Sequence, residues 1–233
     1  MIGYTDIHAH FLYGMDDGAK SREQMEAMLD AAYADGVTTL FATPHVTPGL
    51  SQLDMDTLYL HLEEARHYCR SKGYMMELHP GAEILYAPTL ERFAVEKRLP
   101  TLADSSCILV EFVPDISYEE INGALEVMKR SGYDVILAHI ERYDCLFKGK
   151  HIYRLKEKYG IRYQINCNSV LKSRGWWKDY HLKKWLDNEL IDFVATDAHD
   201  THNRPTRMNE TYATLIKKFR AEYADKLVGR YLE

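Results

Sequence analysis

Short apolar runs alternate along this chain with longer stretches in which apolar residues recur every three or four positions. The runs GYTDIH (3–8), TTLFAT (38–43), MMEL (75–78), CILVEFV (107–113), DVILAH (134–139), RYQIN (162–166) and IDFVAT (191–196) read as seven strands. Met25, Met28, Leu29 and Ala32 follow a capping pair, Ser21 with Gln24, at helical spacing, and Asp35-Gly36 ends that helix. Further helices are expected from about Asp54 to Lys72, closed by Gly73, near 89–97, over 118–131, and near 151–159, ended by Gly160. A Trp-rich helix separates the last two strands, and a final helix runs from about Met208 to Tyr223. Nearly every strand is followed by a helix, so the strands are expected to be parallel and covered by helices. A closed or nearly closed barrel and an open doubly wound sheet both satisfy that pattern. The first strand lacks a Gly-rich phosphate loop, which disfavours a nucleotide-binding sheet.

Composition narrows the function classes. No linker or low-complexity stretch divides the 233 residues, so residues 1–233 read as a single domain. A net charge of −6 offers no basic footprint for nucleic acid. The N-terminus has no charged region followed by an apolar run, and no stretch approaches the roughly 20 apolar residues of a membrane span. Cys69, Cys107, Cys145 and Cys167 are scattered without a C-x-x-C pair, as in a reduced, cytoplasmic protein.

The chemistry lies at the strand ends. The first strand carries Asp6, His8 and His10, whose alternation places all three on one side of an extended chain. His45 follows the second strand, Glu83 follows the third through HPGAE, and the fourth carries Glu111. The fifth ends at His139, and Asp197 and His199 follow the seventh. One histidine at a strand end is usually a hydrogen-bonded structural residue. Six strand ends of seven bearing a candidate ligand point instead to one shared rim, which in barrels is the active face. Histidine and carboxylate without thiolate suit Mn, Fe or Zn. So many ligands exceed the needs of one ion and fit two or three sharing a bridging carboxylate, an arrangement suited to phosphate hydrolysis.

The segments DIHAHFLYGMDDGAKS, ATPH, GAEILY, LVEF, AHIERY and TDAH resemble the polymerase-and-histidinol-phosphatase (PHP) superfamily. Within it they are similar to the bacterial manganese-dependent protein tyrosine phosphatases of capsule and exopolysaccharide synthesis. The resemblance runs from Asp6 to about Pro205 and implies a distorted (β/α)7 barrel with Mn²⁺ at two or three positions, which Fe, Zn or Mg can also occupy. It implies one ion held by His8, His10, Glu83 and Asp197, a second by Glu83, Glu111 and His139, and a third by Asp17, His45 and His199. Asp17 is preferred to Asp16 only by alignment of DDG. Arg142 and Arg204 match the family's phosphate-binding arginines, and Asp6 would orient a ligand histidine. Val46 stands where many relatives carry a second histidine, and the C-terminus lacks the usual Asn-containing tail segment.

The implied activity is hydrolysis of phosphotyrosine on a protein by metal-activated hydroxide, with a bacterial tyrosine kinase as partner and substrate and homo-oligomerisation as an option. The alternatives are a small-molecule phosphatase such as a histidinol phosphatase, and a non-catalytic metal-binding partner. A cysteine-based mechanism is disfavoured, because the nearest thiol and arginine, Cys167 and Arg174, are one residue too far apart. His61, His67, His151 and His181 are expected on solvated helix surfaces and His79 at a turn. His202 is a near neighbour of the site. Trp176, Trp177 and Trp185 are expected in the core, with a rim for an aromatic substrate as the alternative. The run HLEEARHYCRSK reads as a solvated helix face, or as a subunit interface.

Overall fold

The computed structural model describes residues 3–47 and 54–230. The apolar runs form strands β1 (Tyr4–Ala9), β2 (Val37–Ala42), β3 (His45–Val46), β4 (Glu77–Pro80), β5 (Glu83–Leu85), β6 (Cys107–Glu111), β7 (Asp134–Leu137), β8 (Arg162–Asn166) and β9 (Phe193–Ala195). All pair in parallel, in a three-stranded sheet ordered β1-β2-β4 and a six-stranded sheet ordered β3-β5-β6-β7-β8-β9. The α/β class with parallel strands is therefore as expected. The strand count is not: nine strands occur among the described residues, because two of the expected seven are interrupted. Pro44 has no N–H for a ladder, so the second strand stops after Ala42 and resumes at His45. The third begins at Glu77 rather than Met75, breaks at Gly81-Ala82, and resumes at Glu83, whose N–H bonds the Pro44 carbonyl at 3.1 Å. Gly81 lets Leu102 pack close to this break, since a Cβ would sit 2.6 Å from Leu102 Cδ2 and make that side chain shift.

The strand ends come together through the backbone. Asp197 N–H donates to His8 O and His10 N–H to Ala198 O, each at 2.8 Å, and Ala9 bridges Ala198 in parallel. The pairing of β1 with β2 slips between Asp6 and Ala9. A slip of this kind breaks the two-residue alternation of side chains. It overturns the expectation that Asp6, His8 and His10 share a side. Asp6 lies among Met28, Ala31 and Ala32 of α1 (Arg22–Ala34), whereas Ile7 packs with Leu109, Ile136 and Ala195 from β6, β7 and β9.

Helices cover the strands where their periodic apolar faces require. Helix α1 buries Met25, Met28, Leu29 and Ala32; Ser21 accepts from Gln24 N–H, but Gln24 Oε1 takes Lys20 N–H, so the capping box is half formed. Helix α2 (Met55–Lys72) starts on Asp54 and ends at Gly73 with φ 70°, a conformation that favours glycine. It buries Leu58, Leu62, Ala65 and Cys69, leaving Glu63, His67 and Arg70 in solvent. Helices α3 (Leu90–Val95), α4 (Tyr118–Arg130), α5 (His151–Tyr159), α6 (Cys167–Leu171) and α7 (Trp176–Asp187) follow. The expected final helix is two, α8 (Met208–Lys218) and α9 (Ala221–Leu227), because Phe219 adopts an extended conformation.

Candidate metal centre

The rim built by β1, β5, β6 and the turns after β7 and β9 brings the predicted ligands together. His8 Nε2 and His10 Nε2 lie 3.2 Å apart. Glu83 Oε2 is 3.0 Å from His8 Nε2, 3.3 Å from His10 Nε2 and 3.1 Å from His45 Nδ1. Asp197 Oδ1 is 3.6 Å and 3.5 Å from the same nitrogens of His8 and His10. His139 Nε2 meets Glu83 Oε1 at 2.7 Å and Glu111 Oε2 at 3.3 Å, while His45 Nδ1 meets Glu111 Oε1 at 3.2 Å. His199 Nε2 and His45 Nε2 face Asp17 Oδ1 at 3.3 Å and 3.5 Å. Three groups of side chains each present ligand atoms within 4.8 Å of one another: His8, His10, Glu83 and Asp197; His45, Glu83 and Glu111; and His10, Asp17, His45 and His199. Glu83 belongs to two of them.

Hydrogen bonds from behind orient the imidazoles. His8 Nδ1 faces Gln164 Oε1 at 3.2 Å, His10 Nδ1 faces Asp16 Oδ2 at 2.7 Å, and His199 Nδ1 faces the Asp197 carbonyl at 3.0 Å. Each acceptor fixes a proton on Nδ1 and leaves the Nε2 lone pair aimed into the cluster. Asp16 and Asp17 thereby separate. The Asp16 side chain is only 5% exposed and also accepts His45 N–H at 2.9 Å and Gly18 N–H at 2.8 Å. Asp17 is 64% exposed and joins the ligand-like group. Gly18 completes DDG for a steric reason: a Cβ there would lie 2.0 Å from His10 O.

Carboxylates outnumber the fixed cations of the cluster. Glu83, Asp197 and Asp16 are buried, and with Glu111 and Asp17 they make five carboxylates against two guanidinium groups, Arg142 and Arg204. Burial of uncompensated charge is costly. Burial disfavours a charged His10 and His139, yet the surrounding carboxylates outweigh it. Asp16, Asp197 and Glu83 hold His10 well above the usual histidine range, and Glu83 and Glu111 push His139 up to about 9. Burial, His10 and Arg204 instead push His199 down to about 4, keeping it neutral. Glu83 Oε2, Asp197 Oδ1 and His199 Nε2 are buried without a hydrogen-bond partner. An acceptor oxygen ringed by imidazole nitrogens, with none of them aligned as its donor, fits a divalent cation coordinated by nitrogen and oxygen.

The arginines meet at Asp197. Arg142 Nη2 donates to Asp197 Oδ2 at 2.6 Å, where Asn166 Nδ2 also donates at 2.7 Å. Arg204 Nη2 lies 2.7 Å from Asp197 Oδ1 as an ion pair that is not aligned as a hydrogen bond, which is why that oxygen keeps an open lone pair. Both guanidinium groups are about one-third exposed at the mouth of the cluster. Glu141 is not the partner of Arg142; it is buried and accepts Asn166 N–H at 3.0 Å and the Ser169 hydroxyl at 2.7 Å. The backbone is strained at two site residues, His139 (φ 30°) and Asp197 (φ 52°). Left-handed conformations at such residues cost about 1–3 kcal/mol each and persist where surroundings enforce them. Gln164 Oε1 receiving His139 N–H at 2.8 Å and His8 O receiving Asp197 N–H do so here.

Other expectations need correction. Asp6 touches no imidazole; it accepts His8 N–H at 3.3 Å and Thr196 N–H at 3.0 Å, and burial pushes its carboxyl up to about 6. The ring-orienting roles belong to Asp16 and Gln164. Gln164 was missed because a lone polar residue in RYQIN carries no motif. His79 lies within β4 against Phe41 rather than at a turn, and His202 is exposed. His67 is exposed, but His61, His151 and His181 are half-buried, stacked on or packed against Tyr13, Tyr118 and Phe147 respectively. Of the tryptophans only Trp185 is core; Trp176 is 83% exposed. Cys69, Cys145 and Cys167 are buried, and burial pushes the first two thiols up to about 11 and Cys167 higher, so none is a ready thiolate.

The CpsB of Streptococcus pneumoniae, a tyrosine-protein phosphatase, is 32% identical over 227 residues, covering 95% of this chain and 93% of its own. The tyrosine-protein phosphatase YwqE of Bacillus subtilis is 28% identical over 218 residues, covering 93% and 85%. A chain among the crystal structures of YwqE and CpsB, described as unique metal-dependent tyrosine phosphatases, superposes with a TM-score of 0.83 at 28% identity, covering 94% of this chain and 89% of that one. The family model for capsular polysaccharide synthesis, CpsB/CapC, matches residues 4–231, and the chain belongs to that family.

Proposed function

We propose that this protein is a metal-dependent protein tyrosine phosphatase of polysaccharide synthesis, acting in the cytoplasm on a phosphotyrosine protein, a bacterial tyrosine kinase. The observation that carries this reading is the placement of His8 and His10 Nε2, each ring held from behind at Nδ1, 3.0 and 3.3 Å from a buried Glu83 oxygen that makes no hydrogen bond, beside two arginines about one-third exposed. Residues 1–233 act as one PHP-type domain, a distorted (β/α)7 barrel. Support for closure comes from the Ala9–Ala198 bridge and from Ile7 packing on residues of β6, β7 and β9. Among the described residues no helix is long and apolar enough to cross a membrane.

In this reading His8, His10, Glu83 and Asp197 hold one ion, Glu83, Glu111, His139 and His45 surround a second, and Asp17, His45 and His199 hold a third, with Mn²⁺ the favoured occupant. Bound there, divalent cations supply Lewis-acid neutralisation of phosphoryl oxygens and acidification of water. The chain supplies the rest. Arg142 and Arg204, fixed by Asp197, turn their remaining N–H groups to the equatorial phosphoryl oxygens, matching their planar geometry. His199, neutral near pH 7, offers a lone pair rather than a competing proton. Tyrosine departs as a phenolate of pKa ~10, so the leaving group needs little protonation. The test is steady-state hydrolysis by chelator-stripped and Mn²⁺-reconstituted protein of a phosphotyrosine peptide, a phosphoserine peptide and histidinol phosphate. Preferred hydrolysis of the phosphotyrosine peptide is expected. A preference for histidinol phosphate, or inactivity of metal-loaded protein on all three, overturns the reading.

A further inference from the structure

One surface outside the metal centre has the wrong character for an ordinary helix face. Residues 172–184 hold five basic side chains against one acidic one, Asp179, in a chain whose net charge is −6. A groove of about 570 Å³ runs between α6, α7 and the end of α8. Its floor is apolar, formed by Leu182, Leu186 and Phe219, and Lys172, Lys183 and Lys218 line it. Lys183 pairs with Asp187 at 2.6 Å, but Lys172 and Lys218 make no ion pair among the described residues. Asp179 is already engaged, accepting from the Ser173 hydroxyl at 2.5 Å and from Arg174 N–H at 2.8 Å. Beside the groove, one turn apart on α7, stand Trp176 and Tyr180, 83% and 61% exposed. Large aromatic side chains left in solvent beside unpaired cations mark a recognition surface rather than a solvated helix.

The groove is tied to the mouth of the metal centre. Ser169 lines it and donates to Glu141, the residue before Arg142, and Arg174 Nη1 donates to the same Ser169 hydroxyl at 3.1 Å. Lys178 bonds Asp144, and Trp177 packs on Phe147, in the turn that follows Arg142. Helices α6 and α7, which wall the groove, thus also contact the segment that carries Arg142.

We infer that the groove and the Trp176–Tyr180 strip dock an acidic segment flanking the phosphotyrosine of the protein substrate, its carboxylates meeting Lys172, Lys183 and Lys218 and its apolar side chains covering the floor. The inference rests on the phosphatase reading above and extends it from the phosphate to the sequence around it. It follows from charge complementarity, since opposite charge near a recognition patch steers and orients a partner.

The experiment compares p-nitrophenyl phosphate with two phosphotyrosine peptides of equal length, one with Asp/Glu flanks and one with Gly/Ser/Gln flanks. The proteins are Mn²⁺-loaded wild type, K172E/K218E and W176A/Y180A. Peptide binding is also read directly by fluorescence anisotropy, so docking is measured even if turnover is low. Wild type should favour the acidic peptide through KM, and added salt should erase the preference. K172E/K218E should raise KM and the dissociation constant for the acidic peptide roughly tenfold while leaving kcat and p-nitrophenyl phosphate turnover unchanged. W176A/Y180A should weaken both peptides with p-nitrophenyl phosphate again unchanged, which also shows that each variant is folded. Equal KM for the two peptides in wild type, or an unchanged acidic-peptide KM in K172E/K218E, overturns the inference. So does a change in oligomeric mass of either variant without a change in peptide affinity, because the face is then an interface between copies. Inactivity of wild type on every aryl phosphate would instead strike the phosphatase reading, leaving anisotropy to judge the docking.

Discussion

Replacing Asp16 by asparagine separates the two acids of DDG by their physics. Asp16 Oδ2 accepts the His10 Nδ1 proton at 2.7 Å and His45 N–H at 2.9 Å, and Oδ1 accepts Gly18 N–H at 2.8 Å. The asparagine amide has one oxygen, so one side of the group must confront donors with its own NH₂. The loss of one charge-assisted bond is worth about 1.5–3 kcal/mol and a buried unsatisfied donor about 1–3 kcal/mol. A loss of folding stability of about 2.5–6 kcal/mol is therefore expected in the metal-free protein. His10 also loses the acceptor that holds its tautomer, and such outer partners change metal affinity or activity by about 10–100-fold. Asp17 differs, because it is exposed and meets His45, His199 and Arg204 only at 3.3–4.0 Å. D17N should lower Mn²⁺ affinity while leaving the metal-free melting temperature near wild type. Calorimetric titration of Mn²⁺ into stripped protein and thermal unfolding in chelator measure both quantities. D16N that binds Mn²⁺ with wild-type affinity and melts at the wild-type temperature would refute the reasoning, as would D17N being the less stable of the two.

Chelation should abolish hydrolysis of a phosphotyrosine peptide and Mn²⁺ restore it, whereas replacing all four cysteines by serine leaves turnover of the folded, loaded protein largely intact; dependence on a cysteine would show a thiol mechanism. R142A and R204A should each lower kcat by about 10²–10³-fold, as expected for loss of a donor to the transition state, with metal content by elemental analysis unchanged; more than half of wild-type turnover in R142A removes it from the proposed role. G18A should cost about 1–3 kcal/mol through overpacking and weaken metal binding, because its Cβ would press on His10; a wild-type melting temperature in chelator would contradict this. The metal-free protein should also lose stability as pH rises. His139, raised to about 9, and His10, raised well above the usual range, bind protons more tightly in the folded chain. Their contribution is full below the unfolded pKa near ~6.5 and is lost as pH rises through the folded values. Melting in chelator at several pH values tests this, and a flat profile between those limits would be the refuting result.

Local sequence was enough to locate the strands and most helices, because apolar periodicity and capping residues act within a few positions. It also sufficed to nominate His8, His10, His45, Glu83, Glu111, His139, Asp197 and His199, because polar residues at the ends of apolar strands stand out against their neighbours, whereas Asp17 and the two arginines came from the family resemblance. Two features were beyond it. The slip between Asp6 and Ala9 turns Asp6 toward α1 while His8 enters the cluster, and pairing register is a property of two strands rather than one. The roles of Gln164 and Asn166 depend on contacts with residues 25 to 156 positions away, such as Gln164 with His8 and Asn166 with Asp197. The tryptophans show the same division: helical spacing predicted burial for all three, but Phe147 and its neighbours cover only Trp185 fully and leave Trp176 in solvent. Which side chains meet at the rim is thus largely written in the chain order of strand ends. Which nitrogen of His8, His10 and His199 faces the cluster was decided by partners that only the folded chain brings behind them.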